Sequence, residues 1–198
     1  MSPVKPPADD ATFAEAKAVN AEFKRTVAEV QEQIYDGDWR VWDYGDVPQS
    51  CGETGYKFSL IRKLPLEFSF HERGPERMKE LHAWMRENGW NVEPIKTYSP
   101  GIDNLVIVSS KQQGRVARLD IDLVPGRAAD GTIDVMEVRA TSTCAPGDAY
   151  PILERLRGPF QAIPVDPDLP TLERPRDTPL FEPFDQKTRH PKPADSEG

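Results

Sequence analysis

Residues 105–144 of the chain read LVIVSSKQQGRVARLDIDLVPGRAADGTIDVMEVRATSTC, and this stretch decides the fold. It opens with a continuous apolar run at 105–108, which is typical of a central strand. In residues 117–123 apolar side chains alternate with Arg and Asp, which indicates a half-buried strand. Turn residues at 112–114 and 125–131 separate the runs. The stretch therefore predicts consecutive antiparallel strands of a β-meander.

Two helices are predicted before this meander. The first begins near a capping-box pattern, Thr12-x-x-Glu15, and Gly37 is expected to end it. Its apolar stripe has helical spacing and consists of Phe13, Ala16, Phe23, Val27, Val30 and Ile34. A coiled-coil seam is the alternative, but a stripe of about three heptads favours packing on a sheet. The second helix opens at Pro75 and stops at Gly89.

Short strands lie between the two helices. Residues 39–44 read as an aromatic strand, and alternation predicts strand structure again at 56–60 and 66–70, with a break at Pro65. The predicted order is α-β-β-α-β-β-β-β. It indicates an α+β fold, a two-layer sandwich in which an antiparallel meander sheet carries two main helices on one face.

Proline distribution divides the chain. Of 20 prolines, three lie in the first seven residues and nine lie from Pro159 onward. We expect a flexible lead or tether at 1–9, a single α+β domain at 10–158 and a largely disordered tail at 159–198. Within the tail, Phe181 and Phe184 are large apolar residues in one short window. They predict docking on the parent domain or on a partner, and incidental aromatics in a disordered segment are the alternative.

Charge and hydropathy exclude some classes of protein. The net charge of −8 and the pI near 5.0 disfavour nucleic acid as a partner. No apolar run of 18 residues occurs, so no membrane span is predicted, and residues 1–7 do not resemble a signal peptide. The protein is therefore either cytosolic or exported by a signal upstream of Met1.

Two cysteines, Cys51 and Cys144, are the whole complement. Neither belongs to a CxxC pair, and both lie at expected strand ends. A disulfide between them would close a long loop and stabilise the folded state by about 4 kcal/mol in the chain-entropy model. Two unrelated buried thiols are the alternative interpretation. We favour the disulfide because neither cysteine has another partner to choose.

Motifs of catalysis are not found in the sequence. It contains no GxGxxG, GxxxxGK[ST], GxSxG or HExxH pattern, so we predict no catalytic residue, cofactor or metal site. His71 and His82 do not have the i, i+4 spacing of a metal pair on one element, which favours ordinary polar positions. A Ca²⁺ site is one interpretation of three clustered carboxylates, Asp120, Asp122 and Glu137. Their alternation with apolar residues favours a solvated strand face instead.

Tryptophans are the remaining candidates for a binding site. Trp39 and Trp42 point to opposite faces of one predicted strand, and Trp84 and Trp90 flank Gly89. Exposed rings could line a ligand groove, whereas core or core-edge positions are the more ordinary use of tryptophan in a sandwich. We favour the core.

Several features over residues 10–150 together resemble actinobacterial cell-envelope lipoproteins of the LppA-like kind. They include Trp39 near Tyr44-Gly45, the first cysteine in Gln49-Ser50-Cys51, a helix ending Asn88-Gly89-Trp90, and a closing Thr141-Ser142-Thr143-Cys144. The resemblance implies an α+β domain outside the cytoplasmic membrane, tethered by an N-terminal lipid, with no catalytic residues to carry over. This sequence departs from it by having no signal peptide and no lipid-bearing N-terminal cysteine.

The sequence thus favours a non-enzymatic, extracytoplasmic domain of the cell envelope that binds a protein partner or a small ligand. The alternative is a cytosolic interaction protein, such as an immunity-type or phage-encoded inhibitor, which the acidity and the missing signal peptide support. An enzyme has the least support.

Overall fold

The computed structural model describes residues 5–98, 103–158, 170–177 and 181–183. Within these residues the helices are α1 (Asp10–Ile34), α2 (Gly74–Glu87) and α3 (Ala149–Arg157). The strands are β1 (Trp39–Asp43), β2 (Gln49–Ser50), β3 (Gly55–Lys57), β4 (Ser59–Lys63), β5 (Asn91–Val92), β6 (Leu105–Lys111), β7 (Val116–Val124), β8 (Val135–Ser142), β9 (Ala145–Pro146) and β10 (Leu172–Glu173).

The main sheet, as far as the structure describes it, has seven strands in the order β10-β1-β4-β8-β7-β6-β5. All neighbouring strands in it are antiparallel, and β5 to β8 form the predicted meander. A second, smaller sheet has the order β2-β3-β9. Both α1 and α2 contact the main sheet. The fold is α+β, as the sequence predicts.

Helix α1 starts one turn earlier than its sequence pattern suggests. The carboxylate of Asp9 caps it by accepting a hydrogen bond from the Thr12 backbone N–H at 2.8 Å. At the other end the helix stops at Ile34 because Tyr35 is extended, so Gly37 does not supply the stop. The expected apolar stripe is confirmed, since Phe23 and Val27 are fully buried in the core.

Of two predicted strands, one is wrong and the other is shorter than predicted. Residues 66–70 form a turn, in which the Phe68 N–H donates to the Pro65 carbonyl at 3.1 Å. The aromatic alternation there serves packing, because Phe68 contacts both Tyr35 and Phe70 with ring centroids 4.8 Å apart. In residues 91–98, β5 pairs with β6, the Glu93 N–H donates to the Val108 carbonyl at 2.9 Å, and an isolated bridge joins Lys96 to Val106. The pairing is interrupted at Pro94, which has no N–H to donate.

The chain passes from the small sheet to the large one at Phe58, between β3 and β4. The Phe58 N–H donates to Ser142 Oγ at 2.9 Å, and the Ser142 N–H donates to the Phe58 carbonyl at 2.8 Å. These bonds hold the end of β8 beside the same transition, so the two sheets are joined at one corner. In the part of the chain that is described, no helix is long and apolar enough to cross a membrane.

Candidate functional site

The disulfide predicted from the sequence is present. Cys51 and Cys144 are bonded, with their Cα atoms 6.0 Å apart. Cys51 lies between β2 and β3, and Cys144 lies between β8 and β9, so the bond closes the corner where the two sheets meet. Gly55 makes room for it, because a Cβ there would lie 2.5 Å from Cys144 Sγ.

A C-terminal segment lies against the domain that precedes it. We call this segment, residues 170–177 and 181–183, the C-terminal strap. Strand β10 pairs with the edge of β1, where the Val41 N–H donates to the Thr171 carbonyl at 2.9 Å. Arg176 then forms two hydrogen bonds to the Glu32 carboxylate of α1, at 2.5 and 3.1 Å. The strap thus contributes a strand and a short 3₁₀ turn at 175–177, so the expected lack of regular structure does not hold at 172–177. Residues 159–169, 178–180 and 184–198 lie outside the described residues.

Phe181 is the aromatic residue of the strap, and it inserts into the core of the domain. Its side chain is 2% exposed, and its ring lies 5.1 Å from that of Phe13 and 5.4 Å from that of Phe58. The strap is also held near this point by an ion pair between Lys17 and Glu182. Docking of the 180–184 window was expected on the parent domain or a partner, and Phe181 occupies the parent domain's core. Phe184 lies outside the described residues.

A buried charge cluster joins the strap to the domain and consists of Lys24, Asp46, Arg62 and the strap residue Glu173. Lys24 of α1 pairs with Asp46, and Arg62 of β4 pairs with Glu173 of β10, with 3.4 Å between Nη2 and Oε2. Each of the four side chains is at most 5% exposed. Arg62 also donates to the backbone carbonyls of Asp43 and Tyr44. The cluster therefore joins the helix, the sheet and the strap.

The electrostatics of the cluster are dominated by burial. Burial raises the pKa of Glu173 to about 7, although Arg62 and Lys24 both pull it down. Burial likewise lowers the pKa of Arg62, and Glu173 opposes that shift. Among the described protein atoms, Glu173 Oε1 has no hydrogen-bond partner. Desolvation of these charges costs free energy that their pairing opposes, and removal of one partner would leave the other buried without it.

Sequence patterns did not point to this cluster. Glu173 lies among prolines in a segment expected to be disordered. Two signals were available elsewhere: Arg62 continues the inward-facing series Tyr56, Phe58 and Leu60, and Asn20 interrupts the apolar stripe of α1. Asn20 is buried one turn before Lys24 and donates to the Gly45 carbonyl at 2.7 Å.

The four tryptophans do not form one groove. Trp39 is buried and donates its Nε1–H to the Tyr35 carbonyl, whereas Trp42 is 69% exposed beneath the Lys63 ammonium. Trp90 is buried next to β5, the edge strand at the other end of the main sheet from β10. Trp84 is half-buried and lines a small cavity with Met78 and Leu81, between α1 and α2. The core interpretation therefore holds for Trp39 and Trp90 and fails for Trp42.

His71 and His82 occupy unrelated positions. His71 lies in the turn before α2 with φ of +50°, and His82 Nε2 lies 2.9 Å from the Glu93 carbonyl oxygen. Within residues 5–98, 103–158 and the strap, no group of three or more His, Cys, Asp or Glu side chains is arranged to hold a metal ion.

Asp120, Asp122 and Glu137 share the sheet face opposite α1 and α2. Asp122 lies directly across from Glu137, and burial together with that neighbouring carboxylate raises the Asp122 pKa. Burial acts in the same direction on Glu137, but hydrogen bonds from Lys63 and Arg139 outweigh it and lower the Glu137 pKa. Arg118 pairs with Asp120, and Lys63 and Arg139 pair with Glu137. The face is only partly solvated, because one oxygen of Asp120 and one of Asp122 are buried without a hydrogen-bond partner among the described atoms.

Comparisons with known proteins add little to this picture. No family model matches the chain, and no curated protein matches it. Among solved structures, the chain is similar to a DUF4853 family protein from Actinomyces odontolyticus, with 18% sequence identity and a TM-score of 0.39. The similarity covers 66% of this chain and 66% of that protein. Nothing about function is carried over from it.

Proposed function

We propose that the protein is a non-enzymatic binding domain that works outside the cytoplasmic membrane, in the cell envelope, as actinobacterial lipoproteins of the LppA-like kind do. The observation that carries this proposal is the bond between Cys51 and Cys144. Disulfides persist in oxidising compartments and are rare in the cytosol, where thiols are kept reduced.

The strap lies in a groove formed by the edge of β1, by Arg62 and by the rings of Phe13 and Phe58. This groove supports the binding part of the proposal. An extended segment lies there as an added edge strand, with one side chain in a charged pocket and another in an aromatic one. Peptide-binding domains commonly recognise their ligands in this way, by edge-strand pairing and side-chain pockets. The proposed partner is accordingly another polypeptide.

Compartment and redox state can be tested together in the natural host. The complete reading frame, with its native upstream sequence, is expressed with a C-terminal epitope tag. Cells are quenched in acid, denatured, and treated with a maleimide that adds a visible mass to each free thiol. We expect no added mass on the wild-type protein, and one on a Cys51→Ser variant, which leaves Cys144 without its partner and serves as the labelling control.

Protease added to intact cells provides the second readout. The proposal expects digestion of the tagged protein under conditions that spare a cytosolic marker. Two added masses on the wild-type protein, together with protection from the protease, would overturn the proposal. That outcome would favour the cytosolic interaction protein instead.

A further inference from the structure

The groove that holds the strap is complete without the strap. Its edge is strand β1, its charged pocket is formed by Arg62 of β4, and its aromatic socket is formed by Phe13 and Phe58. All of these residues precede the strap by more than 100 positions. A strap that belongs to another molecule would meet the same surface.

We infer that this groove also takes the strap of a second copy of the chain, so that two copies exchange straps and form a dimer. The inference rests on the binding function proposed above and names the partner of that site. It does not depend on the compartment in which the protein works.

The length of the connection permits the exchange. Twelve residues, 158–169, lie between the end of α3 at Arg157 and Pro170. A connection of that length spans at most roughly 40 Å when extended, which is comparable to the width of a domain of this size. Each strap keeps the same contacts in the exchanged dimer as in the monomer, so neither arrangement loses an interface. Exchange of identical elements is a common route to dimers for this reason.

The position of the strap makes its withdrawal a local event. β10 is an edge strand of two residues, and the remaining order β1-β4-β8-β7-β6-β5 does not depend on it. Edge segments with few backbone pairs open at a lower free energy than central strands. Release keeps the order β1-β4-β8-β7-β6-β5, but it must also withdraw Phe181 from the core and separate Glu173 from Arg62.

The charges beneath the strap set the pH dependence of its release. Glu173 faces Arg62 of β4, Lys24 of α1, Asp46 after β1 and Asp177 of the strap itself. Docking holds the Glu173 pKa at about 7, against 4.5 for a solvated glutamate. The docked strap thus keeps a proton that the released strap loses between pH 4.5 and 7, and docking weakens up to tenfold per unit as pH rises through that window. Exchange should be faster at pH 8 than at pH 5.5.

Two full-length variants, each with one added cysteine, test the inference. Arg40 and Leu172 are direct partners across the β1–β10 ladder, so exchange of straps brings Arg40→Cys of one chain to Leu172→Cys of another at a yield above that of random collisions. The two chains carry tags of different mass, are mixed at concentrations up to about 1 mM, where a tethered strap and a free one compete, and are oxidised. We expect a mixed covalent dimer whose yield rises with concentration.

Three controls make the result decisive. Arg40→Cys mixed with Leu66→Cys, an exposed position outside the groove, sets the background from random collisions. A single chain carrying both Arg40→Cys and Leu172→Cys reports the rate of the oxidation chemistry at each pH. Adding Phe181→Ala to the Leu172→Cys chain should lower the yield of mixed dimer.

Three outcomes would overturn the inference. In the first, the mixed dimer stays at the collision background at about 1 mM while the doubly substituted chain closes on itself, which shows docking within one molecule only. In the second, the doubly substituted chain fails to close, which shows that the strap is not docked. A mixed dimer unaffected by Phe181→Ala would likewise count against exchange through this groove.

Discussion

Phe181→Ala tests whether the strap is part of the folded core. Burial of a phenylalanine side chain contributes about 1.5–3 kcal/mol, and each aromatic pair, here with Phe13 and Phe58, adds about 0.5–1.5 kcal/mol. A phenylalanine-to-alanine change in a rigid core costs about 3–5 kcal/mol. The strap can withdraw instead of leaving a cavity, so we expect a loss near the lower end, about 3 kcal/mol.

Urea denaturation followed by tryptophan fluorescence measures this loss. In a chain of this size about 3 kcal/mol corresponds to a decrease of roughly 6–12 °C in melting temperature. Leu172→Ala is the matched control, because Leu172 lies in the same strap but is 50% exposed, and it should change stability by less than about 0.5 kcal/mol. Amide exchange gives a local readout: the Val41 N–H, which donates to Thr171, should exchange faster in Phe181→Ala.

Either of two results would refute this reasoning. A loss below about 1 kcal/mol with unchanged protection of the Val41 amide would mean that Phe181 does not anchor the strap. Equal losses in Phe181→Ala and Leu172→Ala would mean that the strap responds to any truncation, and not to removal of a buried ring.

Three further predictions concern the disulfide, the charge cluster and a tight turn. The double change Cys51→Ser and Cys144→Ser should lower the free energy of unfolding by about 4–5 kcal/mol, and a loss under 1 kcal/mol in urea titrations would contradict the loop-closure argument. The wild-type Glu173 carboxyl binds its proton more tightly in the folded protein, so the wild type loses stability as pH rises from 4.5 to about 7. Glu173→Gln has no proton to lose and should gain stability relative to the wild type over that range, by up to roughly 1.4 kcal/mol per pH unit. Parallel curves of stability against pH for the two proteins would refute this. Gly45→Ala should destabilise by more than about 1 kcal/mol, since φ is +79° and a Cβ would lie 2.8 Å from Leu60 Cβ; calorimetry showing an unchanged melting temperature would rule out that strain.

Hydrophobic periodicity was sufficient to predict the elements that bury one face. The stripe of α1, Pro75 at the start of α2 and the alternation of β7 each follow from one face being buried, and all three were predictable. Periodicity misled at 66–70, where aromatic side chains alternate inward without backbone pairing. Side-chain patterns report burial, whereas a strand also requires a neighbour for its N–H and C=O groups.

The strap was predictable only in part, for a physical reason. A segment rich in proline cannot build a core of its own, but it can add to one that already exists. Phe181 stood out as an apolar residue in a polar tail. Glu173 did not, because a buried carboxylate is recognisable only when its partner is known, and Arg62 lies 111 positions away. Pairing between such distant residues leaves no periodic signal in the sequence.

The bond between Cys51 and Cys144 also governs how the molecule responds to mechanical pulling. If the two ends of the polypeptide were pulled apart, the force would pass through the sulfur atoms of the disulfide. It would not reach the residues between the two cysteines, which are 93 positions apart. Roughly 300 Å of contour length would then stay inaccessible to the force. The strap and α1 lie outside the bypassed stretch and would bear the load, while the central strands of the meander would stay shielded within the closed loop.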